Sequence, residues 1–145
     1  MAVIERSVLL PHSAQQMFTL VNDVRRYPEF LPGCAATEVM AESETEMVAR
    51  LVLSKAGLRY AFTTRNALVP GASIRLALVE GPFRRLQGEW SFTPLSGGAS
   101  KVALRLEFEM AGALLNRAAS KLFSEVADGM VDAMVKRARQ VYGTE

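Results

Sequence analysis

The sequence predicts an α+β fold in which a curved antiparallel sheet of six to seven strands wraps around one long C-terminal helix, with one or two short helices after the first strand. Three observations predict it. From residue 34 to 110 apolar side chains recur with a period of two, and Gly- and Pro-bearing turns cut that stretch into short strands. Residues 112–142 switch to a helical period with a broad apolar face. The linkers between neighbouring strands are short, which implies an antiparallel meander with one wet face. A sheet with one apolar face must bury it, and the last helix, about 45 Å long at about 1.5 Å per residue, is long enough to cover it. If the sheet curves more than the helix can fill, a cavity remains between them.

The elements follow in order. "VIERSVLLP" at 3–11 is a strand stopped by Pro11. A helix follows over 12–24: Ser13 and Gln16 have the spacing of a capping box, and Ala14, Met17, Phe18 and Val21 recur at i, i+3, i+4, i+7. "YPEFLPGC" at 27–34 breaks it, because Pro28 and Pro32 lack backbone donors; a helical turn around Pro28 to Phe30 is allowed, since Pro is tolerated in a first turn. "CAATEVMAES" is a weak strand. The next strands put Met47, Ala49, Leu51 and Leu53 on one face, then Tyr60, Phe62, Thr64, Asn66 and Leu68, then Ile74, Leu76 and Leu78, then Leu86, Gly88, Trp90 and Phe92. "SKVALRLEFEM" is the cleanest alternation, with Val102, Leu104, Leu106, Phe108 and Met110 opposed to Lys101, Arg105, Glu107 and Glu109. In the final helix Leu115, Ala119, Leu122, Phe123, Val126, Met130, Ala133 and Met134 share a face, and Lys136, Arg137 and Arg139 suit its C-terminal dipole.

Half of the 145 residues are hydrophobic, enough for one core, and residues 1–145 read as a single domain without repeats. With 17 basic and 15 acidic residues the net charge is +2, which gives no broad polybasic field. Cys34 is the only cysteine, so no intrachain disulfide forms. The N-terminus is charged too early for a signal peptide, and no apolar run approaches the roughly 20 residues of a spanning helix. These features predict a cytoplasmic protein, with transient contact at the inner membrane surface left open.

No catalytic constellation stands out. His12 is the only histidine, and it would pair with Cys34 as base and nucleophile only if the fold brought the two together. Metal binding lacks a spaced Cys/His set. Glu107 and Glu109 would form paired carboxylates only if their face lined the pocket. The cavity is the better candidate. The double-proline segment offers Phe30, Leu31 and Pro32, either as a plug over one end of the core or as the wall of a pocket mouth; we expect the mouth, with Phe30 and Leu31 pointing inward. The sheet offers Tyr60, Phe62, Thr64, Asn66, Leu76, Trp90, Phe92 and Phe108, and the helix offers Leu122, Val126 and Met130. Thr64 and Asn66 stand out as hydrogen-bonding groups on an apolar face. They meet bulk water if the strand end protrudes, or the polar head of a ligand if it does not.

"VNDVRRYPEFLPGC", "SKAGLRYAFTTRN" and "EGPFRRLQGEWSFTPL", followed by the amphipathic helix, resemble the coenzyme Q-binding family of START-like, polyketide-cyclase-type proteins, most closely its bacterial branch, the ribosome association toxins. The resemblance covers essentially the whole chain. It implies a helix-grip fold with a hydrophobic tunnel, and binding of ubiquinone or a related polyprenyl lipid in support of respiration, without catalysis and with no required cofactor. For the bacterial branch it implies action on the large ribosomal subunit and on subunit association. In the wider superfamily the same cavity serves cyclases, a third alternative. Mitochondrial members often carry tryptophan at the position of Gly33, so the resemblance extends no aromatic there.

Overall fold

A computed structural model describes residues 2–112 and 116–143. Seven strands form one antiparallel sheet in the order β1-β7-β6-β5-β4-β3-β2. They are β1 (Ala2–Leu10), β2 (Cys34–Glu42), β3 (Glu46–Lys55), β4 (Leu58–Val69), β5 (Ser73–Glu80), β6 (Phe83–Pro94) and β7 (Ser100–Met110). Strands β2 to β7 run as a meander of hairpins, as the short linkers require. The long-range exception is β1, which joins the far edge beside β7, with Ile4 opposite Leu106. Helix α1 (Ala14–Asn22) and the one-turn α2 (Tyr27–Phe30) carry the chain between the two edges. Helix α3 (Asn116–Tyr142) lies against the concave face.

Local chemistry explains the boundaries. Ser13 Oγ accepts from the Gln16 backbone N–H at 3.0 Å, and Gln16 Oε1 accepts from the Ser13 N–H at 2.9 Å, so the capping box satisfies two of the orphan donors of α1. Pro28 occupies the first turn of α2, where its missing donor costs nothing. The Tyr27 hydroxyl donates to the Val21 carbonyl and folds this segment back onto the end of α1. Register shifts at Cys34/Ala36, Val39/Ala41, Thr63/Thr64 and Phe83/Arg85 bend the sheet around the helix.

The inward faces are those that the period of two assigns. Met47, Ala49 and Leu53, then Phe62, Leu68, Ile74, Trp90 and Phe92, then Val102, Leu104, Leu106 and Phe108 are all buried. Full burial of such side chains contributes on the order of 1.5–3 kcal/mol each. From α3, Leu122, Phe123, Val126, Ala127, Val131, Met134 and Ala138 enter the core. Residue 112 is not helical, α3 is described over Asn116–Tyr142, and the expected contribution of Leu115 lies outside the described residues. Val131 and Ala138, outside the expected face, also belong to the buried stripe. Polar pins fix α3 at both ends: Tyr60 Oη donates to the Ala119 carbonyl at 2.7 Å, and Tyr142 Oη to the Gln16 carbonyl at 2.9 Å.

Candidate functional site

The sheet and α3 do not fill the space between them completely. A cavity of about 70 Å³ remains, walled by Leu51 and Leu53 of β3, Phe62, Thr64 and Asn66 of β4, Leu76 of β5, Leu86 and Trp90 of β6, and Leu106 of β7. Phe123, Val126, Ala127 and Met130 of α3 form the opposite wall, and Val24 and Tyr27 close the side next to α2. Each strand contributes through its inward face, so the site follows directly from alternation along β3 to β7. The volume falls short of the roughly 150 Å³ in which an apolar cavity holds benzene. The tunnel that the resemblance implies is therefore narrowed to a small chamber, and a quinone ring enters only if the lining yields. Met130 is the wall best able to do so, having flexible torsions and a half-exposed position.

Of the residues expected to line the site, Phe62, Thr64, Asn66, Leu76, Trp90, Val126 and Met130 border the cavity. The others are placed elsewhere. Tyr60 is spent on pinning the first turn of α3. Phe92 sits against Phe18 of α1, with ring centroids 5.7 Å apart. Phe108 packs on Phe123 at 4.6 Å, inside an aromatic cluster with Phe62 and Phe83. Leu122 faces a shallow groove beside Lys55 and Lys121. The pocket-mouth expectation for the double-proline segment is corrected: Phe30 lies under the Arg137 guanidinium at 5.0 Å, Leu31 is buried without reaching the cavity, and Pro32 is exposed. Phe30 under Arg137 and Glu29 paired with it at 3.1 Å clasp the segment to α3, and Tyr27 provides the wall instead. A helical turn over residues 27–30 rotates Tyr27 inward and Phe30 sideways, a direction that extended geometry around the prolines does not give. Leu51, Leu53, Leu86 and Leu106 were on the correct faces by period alone, while Tyr27 had no periodic signal to place it.

Thr64 and Asn66 supply the polar feature of this wall. Both are 5% exposed, so neither meets bulk water. The Thr64 hydroxyl donates to Asn66 Oδ1 at 2.7 Å. With that oxygen engaged, the donor side of the carboxamide is what Asn66 offers a guest. The complementary ligand is apolar and carries a hydrogen-bond acceptor such as a carbonyl.

The chemistry available here is limited. Tyr27 is the one titratable side chain on the lining, its hydroxyl already donates to Val21, and burial pushes its pKa up. Cys34 is buried on β2, and burial pushes its thiol up to about 11, away from the thiolate a nucleophile needs. His12 packs against Tyr142 at the far end of α3, with ring centroids 5.6 Å apart, so the two expected partners sit on different parts of the fold. Glu107 and Glu109 face outward and pair with Arg105 and Arg84, each at 3.0 Å. Among the described residues no helix is long and apolar enough to cross a membrane.

Comparison with known proteins agrees with this architecture. The ribosome association toxin of Vibrio cholerae is 53% identical over 143 residues, covering 99% of each chain. A mitochondrial coenzyme Q-binding protein homolog from Xenopus laevis is 29% identical over 143 residues, covering 96% of this chain and 59% of that one. The Zhui aromatase/cyclase from Streptomyces sp. R1128 superposes with a TM-score of 0.83 at 20% identity, over 97% of this chain and 95% of that one, which shows the shared fold. A model for polyketide cyclase / dehydrase and lipid transport proteins matches residues 10–135. With the grip of sheet on helix and the apolar chamber inside it, this match places the chain in the START-like polyketide cyclase/dehydrase and lipid transport family, beside the ribosome association toxins.

Proposed function

We propose that this chain acts by binding rather than by catalysis: at the ribosome through its surface, where it interferes with subunit association, and at an apolar ligand through its cavity. The ribosomal reading is carried by 53% identity, along almost the whole chain, to a protein named for ribosome association. Sucrose-gradient sedimentation with purified large subunits at low salt tests it. Co-migration with the subunit and a reduced yield of joined ribosomes are expected, and a protein that stays at the top of the gradient sinks the reading. The binding would take place in the cytoplasm.

The ligand reading is carried by the Thr64–Asn66 pair on an otherwise apolar wall. A buried amide donor aimed at an apolar chamber fits a carbonyl head with a hydrophobic body, as in ubiquinone or a related polyprenyl lipid. The distant similarity to a coenzyme Q-binding homolog supports the same class. At about 70 Å³ the chamber admits such a head only after α3 or its side chains shift, and the isoprenoid tail has to leave the fold, in contact with solvent or a membrane surface. Trp90 is the only tryptophan and lines the cavity, so it reports occupancy directly. Titration with a short-chain ubiquinone should quench its fluorescence saturably, and lipid extraction with mass spectrometry should recover the natural guest. Linear, non-saturating quenching together with a lipid-free extract would remove this reading.

A further inference from the structure

We propose that the end of the molecule where α3 begins docks on the phosphate backbone of ribosomal RNA through Arg59, Arg85, Arg117 and Lys121. This rests on the subunit-binding reading above and assigns a surface to it. The topology gathers these residues from separate parts of the sequence. The β3–β4 turn, the β5–β6 turn and the exit of β7 all lie at this end of the sheet. The first turns of α3 are fastened among them: Tyr60 Oη donates to the Ala119 carbonyl at 2.7 Å, and Phe123 packs on Phe62 at 5.6 Å and on Phe83 at 5.0 Å. Arg59 enters from the start of β4, Arg85 from the start of β6, and Arg117 and Lys121 from α3.

All four side chains are exposed, and none takes part in an ion pair among the described residues. Several other cations of the molecule are paired. Arg25, Arg75 and Arg105 each hold a carboxylate within 3.1 Å. Glu42, Glu44 and Glu46 crowd the β2–β3 turn at the opposite end. Of the eight exposed cations without an ion pair among the described residues, four sit on this rim, and the others, Arg50, Lys101, Lys136 and Arg139, are spread over β3, β7 and the end of α3. Like charges gathered on one end do not help the fold, even with Glu125 near Lys121, so an external anion fits the rim. Three of the four residues are arginines, whose planar fork suits phosphate oxygens better than a single ammonium does. The bulge between Phe83 and Arg85 leaves both Arg84 and Arg85 exposed; Glu109 holds Arg84 at 3.0 Å, and Arg85 has no ion pair among the described residues.

The test compares two variants that lose equal charge. One carries Arg59→Gln, Arg85→Gln, Arg117→Gln and Lys121→Gln. The other carries Arg50→Gln, Lys101→Gln, Lys136→Gln and Arg139→Gln, exposed and unpaired residues away from the rim. Both should keep the wild-type circular dichroism and melting temperature. Binding to purified large subunits is measured from 50 to 200 mM monovalent salt. The rim variant should bind at least roughly tenfold more weakly at the low end, with a slope of log affinity against log salt shallower by roughly three units, about 0.7–0.9 for each of the lost phosphate contacts. The control should stay near wild type. Equal binding by the rim variant, or an equal loss in the control, overturns the inference while leaving the subunit-binding reading standing. No binding by the wild-type protein removes that reading itself. Phosphatidylglycerol vesicles form a third arm: a rim variant that loses vesicle binding but keeps subunit binding overturns the inference in favour of a bilayer.

Discussion

Gly33 carries two constraints that a side chain cannot satisfy together. Its φ is +88°, in the left-handed region, and a Cβ built there would lie 2.6 Å from Val126 Cγ2 on α3. The double-proline segment passes over the helix at this point, which explains why no aromatic is accommodated without a different backbone path. Gly33→Ala should cost on the order of 1–3 kcal/mol, from positive φ and overpacking together. Thermal unfolding measures this, and adding Val126→Ala should return the steric part but not the backbone part. Asn66 tests the site rather than the fold. Asn66→Leu with Thr64→Val removes both members of the buried pair, which is close to neutral for stability because no polar group is left unsatisfied. The same double variant should weaken saturable quenching of Trp90 by a short-chain ubiquinone by roughly five- to tenfold, the worth of about 1 kcal/mol of hydrogen bonding. Unchanged affinity would mean that the amide does not read the head group. Both residues were legible in the sequence, because strict alternation along β4 puts them beside Phe62. Whether they met water or a cavity depended on where α3 crosses, which one strand cannot report.

Among the elements, the strands and α1 were legible because their signals are local: a period of two, turn residues at the hairpins, and a capping box at Ser13. The segment from Val24 to Gly33 was not. Its course depends on a hydroxyl bond from Tyr27 to Val21, on Arg137 over Phe30, and on the fit of Gly33 against Val126, and two of these contacts join residues about a hundred positions apart. Tyr60 illustrates the same limit. It lies on the predicted inward face, yet its hydroxyl reaches the helix instead of the cavity. Burial pushes that hydroxyl up to about 12, so it stays protonated and able to donate at neutral pH. Tyr60→Phe should leave the Ala119 carbonyl without this partner and loosen the first turns of α3. The expected cost is about 1 kcal/mol, and hydrogen exchange should speed up in the first turns of α3 while the β6–β7 ladder is unaffected.

For the molecule as a whole, the cavity and the basic rim are separable, and one substitution can show it. Ala127 lies on the cavity wall, 2% exposed, on the face of α3 that packs against the sheet. Ala127→Val adds methyl groups to a chamber of about 70 Å³, so space that a quinone head would need becomes filled by the protein itself. The gain in buried apolar area offsets the modest loss of helix propensity, about half a kcal/mol. The melting temperature should therefore move by less than about 2–4 °C, the shift that 1 kcal/mol produces in a chain of this size. Saturable quenching of Trp90 should be abolished, because the guest and the new side chain compete for one volume. Binding to large ribosomal subunits should be unchanged, because Arg59, Arg85, Arg117 and Lys121 are exposed on the rim, outside the cavity lining. Measured together, these three quantities distinguish a protein with independent ligand and subunit sites from one in which the ligand controls docking. A filled cavity that also weakened subunit binding would show that the guest, by shifting α3, sets the position of the cations carried on its first turns.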